Sequence, residues 1–395
     1  MSAPIDELPT HFDERFGTQG RRMLAVHAPA RTEIAGNHTD HEGGDVIGGA
    51  LDAAITAVCA PNGTMVANVE SIGWEPFSVD LTDLAPREAE HVTTASLLRG
   101  MAAQLAEAGR EPQGFDLVMT STIPGGSGLS SSAAVELAFG RAMEALWEGE
   151  PVDAVTMAQM AQRAENEWFG KPCGLLDQLS EALGGLAHMG FADPAQPTSE
   201  KLEFDFEAAG YAVCLVYLGC DHSALTHEYA AVPAEMTQVA RAFGAGRLCE
   251  VDPAEFEARI GELRAELGDR PVLRALHYWE ENDLVAERWD ALRGGDVDAF
   301  LAATRASGAS SAMFLQNVSC GGNDQPAMVA LALAERILAG RGACRIHGGG
   351  FGGSIQAFVP LDLVDEFCER MDRCYGEGAC RRYRIVSEGA GAQWL

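Results

Sequence analysis

Residues 124–134 read Pro-Gly-Gly-Ser-Gly-Leu-Ser-Ser-Ser-Ala-Ala, three glycines running into three consecutive serines. Glycines let backbone N–H groups come close to an anion. A helix after them adds unpaired N–H groups and the positive end of its dipole. Serine hydroxyls can bond phosphate oxygens or ligate Mg²⁺. A plain helix cap would need one serine, not three. No Gly-Lys-Ser/Thr occurs, so the stretch is not a Walker A loop. It predicts nucleotide phosphate binding by another route, through Pro124, Gly125, Gly126, Ser127, Gly128, Leu129, Ser130, Ser131 and Ser132.

Two other stretches carry polar chemistry. Residues 30–44 hold Arg31, His38, Asp40 and His41 in a loop between two apolar runs. Residues 344–359 hold a glycine loop that fits G-x-G-x-x-G at Gly348, Gly350 and Gly353. The residues after that loop read as strand and not helix, which excludes the dinucleotide reading.

The elements that must position these residues can be read from periodicity. Residues 115–120 alternate as a half-buried strand, and residues 131–147 read as a helix. Residues 23–60 give a strand, a polar loop and a strand. Helical patterns cover 88–109, 153–169 and 174–185. The Pro-rich, polar stretch 193–200 reads as an inter-domain connection, dividing the chain into 1–192 and 193–395. Strands are expected near 203–218, and helices near 233–244, 253–267, 272–292, 296–306 and 326–340.

Composition narrows the classes. Of 395 residues, 47% are hydrophobic and 22% charged, as in a globular protein. The net charge of −30 argues against nucleic acid as a partner, because binding its backbone needs a basic surface. Ten cysteines without a C-x₂-C pair read as reduced thiols. No signal-like or membrane-length apolar run is seen, so a cytoplasmic location is expected.

Taken in order, the motifs resemble those of the GHMP small-molecule kinases, the galactokinase family in particular. That family's first signature runs Gly-Arg-x-Asn-x-Ile-Gly-Glu-His-Thr-Asp-Tyr; here it is Ala30-Arg31-Thr32-Glu33-Ile34-Ala35-Gly36-Asn37-His38-Thr39-Asp40-His41. Residues 124–134 match its Pro-x-Gly-x-Gly-Leu-Ser-Ser-Ser-Ala pattern, and Gly348–Gly353 its closing loop. Glu165 through Gln178 is similar to its Glu-x₅-Met-Pro-Cys-Gly-Ile-Met-Asp-Gln segment, and residues 274–281 to a galactokinase helix.

The resemblance implies an α+β fold of two domains. The first is ribosomal-S5-like and the second ferredoxin-like, with the site in the cleft between them. It implies a sugar 1-kinase using ATP and Mg²⁺, with sugar and ATP as small-molecule partners, neither nucleic acid nor membrane among them, and the oligomeric state left open. Asp177 matches the catalytic aspartate and Arg31 the arginine that steadies it. Ser132 and Glu165 match the residues that hold Mg²⁺. Asn37, His38, Asp40, Gly174 and Tyr229 match sugar-binding positions. Asn37 stands where the family has Glu, and His41 where it has Tyr. Asn37 would tolerate a sugar carboxylate better than Glu, but the loop holds no extra arginine to pair one. Galactose is therefore the expected substrate. Another hexose, a uronic acid, or a non-catalytic sugar and ATP sensor are the alternatives.

Overall fold

The computed structural model describes residues 7–18, 20–125, 128–219, 226–318 and 323–395. Helix α1 (Leu8–Phe16) leads into the long strands β1 (Leu24–Ala35) and β2 (Asp45–Pro61). Strands β3 (Val66–Ser71) and β4 (Phe77–Asp80) follow, then α2 (Thr94–Glu107) and β5 (Phe115–Ser121). Next come α3 (Ser131–Leu146), α4 (Ala154–Ala164), α5 (Leu176–Leu183), β6 (Leu186–Gly190) and β7 (Thr198–Leu202). The later part holds β8 (Tyr211–Tyr217), α6 (Thr226–Ala242), α7 (Pro253–Leu267), α8 (Asp269–Gly294), α9 (Val297–Ser310) and α10 (Pro326–Leu338). It ends with β9 (Ala343–His347), β10 (Ser354–Pro360), α11 (Val364–Tyr375), β11 (Cys380–Tyr383) and β12 (Gly391–Trp394).

Two sheets organise these elements. The larger has the order β12-β1-β2-β5-β3-β4, with β6 on β2 and β7 on β6. The smaller is antiparallel, in the order β11-β8-β10-β9. The apolar faces of α2, α3, α4 and α5 cover the larger sheet through Leu98, Met101, Leu137, Phe139, Met157 and Leu179. Side chains alternate across the smaller sheet as strand geometry requires. Cys214 and Val216 of β8 face α10 and α11, whereas Val213 packs with Phe300 of α9 and with Ile34 and Ile47 of the larger sheet. That last cluster packs the two sheets together. Strand β12 returns to pair with β1, so the chain's last strand closes the edge beside the strand that carries Arg31.

The helical expectations hold for α2, α3, α4, α5, α7, α8, α9 and α10, with ends shifted by a few residues. Helix α4 continues through residues 165–169 as a π turn. Helix α6 begins at Thr226, seven residues before Pro233, where the sequence predicts its start. Proline usually opens a helix, but here it lies inside one and leaves the Tyr229 carbonyl without its helical N–H.

Candidate active site

Strand β1 delivers Arg31 and the first turn of α5 delivers Asp177. The Arg31 Nε donates to Asp177 Oδ1 at 2.7 Å, and an Arg31 terminal nitrogen donates to the Gly128 carbonyl at 2.7 Å. Ser130 Oγ donates to the other carboxylate oxygen at 2.6 Å. Burial alone would raise the Asp177 carboxyl, but Arg31 and Ser130 outweigh it and hold it below the usual range. Asp177 is therefore ionised, and 30% of its side chain stays open to solvent. An ionised carboxylate has lone pairs beyond those two bonds, so it can still accept a ligand hydroxyl.

The glycine-serine loop sits over this pair. Ser130 and Gly128 both adopt positive φ, 58° and 73°. The turn delivers the chain into the sixteen-residue α3, whose N-terminus has no side-chain cap among the described residues. Its first N–H groups are left for an anion, as expected at such an end. The Ser130 hydroxyl is spent on Asp177. Gly126 and Ser127 lie outside the described residues. Pro124, Gly125 and Leu129 frame the turn, and Ser131 is exposed.

Below the helix start lies a carboxylate cluster. Ser132 Oγ donates to Glu165 Oε1 at 3.0 Å, and Lys171 Nζ lies 3.4 Å from the same oxygen. Gln178 Nε2 donates to Glu165 at 2.8 Å and to Glu136 at 3.2 Å. Glu136 Oε1 is buried with no partner among the described residues. Burial and the neighbouring Glu165 push the Glu136 carboxyl well up. One turn beyond Asp177, Glu181 is also buried, with neither carboxylate oxygen partnered among the described residues. Sequence reasoning misses Lys171, Glu136 and Glu181. Lys171 is one of two lysines in the chain, and that rarity is the available signal.

The loop after β1 builds a second wall. Asp40 lies against Gly174, where a Cβ would collide with the Asp40 carboxylate. His38 (φ 59°) shares a hydrogen bond with His41 at 2.9 Å and donates from Nε2 to the Gly349 carbonyl at 2.8 Å. Burial, with His41 beside it, pushes the His38 imidazole down to about 3, so it is neutral. The Tyr229 ring packs at 5.3 Å from His38, and a Cβ on Gly349 would run into it. The segment just before α6, residues 220–225, lies outside the described residues, as do residues 319–322.

Asn37 is fully buried, and both ends of its amide are used. The nitrogen donates to the Gly348 carbonyl at 2.7 Å and to Glu33 at 3.2 Å, and the oxygen accepts from Asn317 at 2.6 Å. Its backbone carbonyl faces His277 Nε2 at 2.9 Å. Glu33 stands where the family signature has Asn, and Asn37 where it has Glu. Amide and carboxylate have exchanged positions and still touch. The arginine absent from the loop comes from β9: Arg345 reaches Glu33 at 2.8 Å. Glu281 of α8 accepts the Gly36 N–H at 3.1 Å and pairs with Arg288, both side chains fully buried.

The comparisons with known proteins agree with this geometry. The GHMP kinases N-terminal domain model matches residues 96–185, and the galactokinase galactose-binding signature matches residues 10–61. A galactokinase of Streptomyces coelicolor is 30% identical over 388 residues, covering 97% of each chain. One from Actinobacillus pleuropneumoniae serotype 3 is 31% identical, covering 90% of this chain and 89% of its own. Among solved structures, Lactococcus lactis galactokinase complexed with galactose superposes with a TM-score of 0.82 at 24% identity, over 99% of this chain and 100% of its own. Methanococcus jannaschii mevalonate kinase gives 0.66 at 15%, over 93% and 99%. With the glycine-serine loop, the Arg31–Asp177 pair and the galactose-binding signature in one fold, the chain belongs to the galactokinase family of the GHMP kinases.

Proposed function

We propose that the chain transfers the terminal phosphoryl group of ATP to the C1 hydroxyl of galactose, releasing galactose 1-phosphate and ADP in one in-line displacement. The observation that carries this reading is the ionised Asp177, held by Arg31 and Ser130 at the foot of the uncapped α3. Phosphoryl transfer needs positioning and charge neutralisation more than covalent help. Asp177 accepts a hydrogen bond from the C1 hydroxyl and takes its proton as the new O–P bond forms. Arg31 fixes that carboxylate and ties it, through Gly128, to the loop that holds the nucleotide. The α3 N–H groups and the glycine turn bind the phosphates.

Ser132 and Glu165, with the unpartnered Glu136 oxygen behind them, form the hard oxygen donor set that suits Mg²⁺. Bound there with the nucleotide phosphates, the ion would supply charge neutralisation. Asp40, Gly174, His38 and Tyr229 face the sugar, and Asn37 braces this wall from behind.

The test is ADP release with ATP and Mg²⁺ over a panel of hexoses and galacturonate. Galactose should give the highest kcat/KM. A preference for galacturonate would mean the fold is right and the sugar wrong. No sugar-dependent ADP with any member would leave a binding protein without kinase activity.

A further inference from the structure

Away from the cleft, three thiols converge that no spacing in the sequence connects. Cys214 comes from β8, Cys380 from β11 and Cys368 from α11. Their sulfurs all lie within 4.8 Å of one another, with Cys380 Sγ and Cys368 Sγ 3.1 Å apart. Cys214 and Cys380 point from the smaller sheet into the cluster under α10 and α11, beside Val216, Phe367 and Met371. This is the face opposite Val213, the one turned toward the larger sheet. Two of the thiols are buried and Cys368 is partly open, so the site is shielded yet has an entrance.

We propose that Cys214, Cys368 and Cys380 form a three-thiolate site for a soft, thiophilic cation, Cu(I). Thiolates select soft ions such as Cu(I) and Zn²⁺. A structural zinc site takes four protein ligands. Among the described residues this group holds three sulfurs and neither a histidine nor a carboxylate. Three-fold soft coordination therefore favours the monovalent ion. With metal–sulfur bonds of ~2.3 Å, three sulfurs around one ion would stand about 4 Å apart. The closest pair needs to open by roughly an ångström to reach that geometry. Asp372 steadies the frame from behind, accepting the N–H groups of Cys380 at 2.8 Å and Gly378 at 3.0 Å. Such outer contacts orient ligands. Arg382, opposite Cys214 in the ladder, brings a positive charge to this end of the sheet, where it pairs with Glu207 at 2.7 Å. Loading the site would clasp α11 to the sheet.

The experiment needs no substrate and is independent of the kinase reading. The full chain, fully reduced and kept anaerobic, is titrated with Cu(I) alone against a chromophoric Cu(I) chelator. One equivalent should be retained, and the thermal midpoint should rise on loading. Cys368→Ser should weaken retention at least ~100-fold, since even an outer-shell loss can reach that, and should abolish the rise. Cys214→Ala should do the same, which guards against a folding defect peculiar to one variant. A Cys249→Ser/Cys374→Ser chain, which removes two exposed thiols, should behave as wild type. Equal retention by wild type and Cys368→Ser, or none by wild type, overturns the proposal. So does a Cys368–Cys380 disulfide in the purified chain together with failure of the reduced chain to hold copper.

Discussion

The Asp177 site and the Glu33–Asn37 network are both built on paired charges and amides, but they are sealed to different degrees. Asp177 keeps 30% of its side chain open beside an uncapped helix end. In the network, Arg345, Arg288 and Glu281 are fully buried and Glu33 nearly so. The open pair has capacity left for a ligand. The closed network has each of its arginines set against a carboxylate of the same protein. The difference teaches that damage to the first should appear in turnover, and damage to the second in stability.

The largest expected effect tests the closed side. Arg345→Met leaves Glu33 buried without its charged partner, and such a loss costs about 3–5 kcal/mol. Denaturant unfolding would show it as a fall in midpoint, and an unchanged midpoint would break the contrast. Arg31→Ala tests the open side. Removing one charged donor from a transition state costs about 10²–10³ in kcat. Sugar binding, followed by calorimetry, should change far less.

Asn37→Glu sharpens the comparison. It restores the family residue, but places a second carboxylate next to Glu33 with Arg345 alone to serve both. A loss of about 1–3 kcal/mol of stability is expected from the unsatisfied buried group. The double variant Glu33→Asn/Asn37→Glu should recover most of it, because amide and carboxylate then simply trade places. A double-mutant cycle reads the coupling; additive effects would mean that the exchange is not a unit.

The most gradual effect concerns pH. The His38 imidazole is held down to about 3 in the folded chain, against about 6.5 when unfolded. Between those values the unfolded state binds one more proton. His38 should therefore contribute a fall in stability as pH is lowered from about 6.5 toward 3, of about 1.4 kcal/mol per pH unit. His38→Gln should flatten that part of the profile, and an unchanged slope would remove His38 as its source.

Much of the open site is legible in the chain, because its motifs are local. Glycines, serines and a helix lie within one continuous stretch, and Asp177 falls in the first turn of an expected helix. That Ser130 serves Asp177 is not legible, since it depends on how α5 meets the loop. The closed network is half legible. The exchanged Glu33 and Asn37 are visible against the signature, but Arg345 is 312 positions from Glu33. Only the packing of the smaller sheet on β1 brings it there. Helix α11 also escapes the sequence reading, although Val364, Phe367 and Met371 recur at helical spacing among charges. The three-thiol cluster depends on that helix and is hidden with it.

The most direct test of the central claim is single-turnover transfer from γ-labelled ATP to galactose, in wild type and in Asp177→Asn. The variant keeps size and hydrogen bonding but loses the charge proposed to take the proton. The label should appear on C1 of the sugar, and Asp177→Asn should slow its transfer by ~10²–10⁴-fold with both substrates still bound. An undiminished rate in Asp177→Asn, or label trapped on the protein, would contradict it.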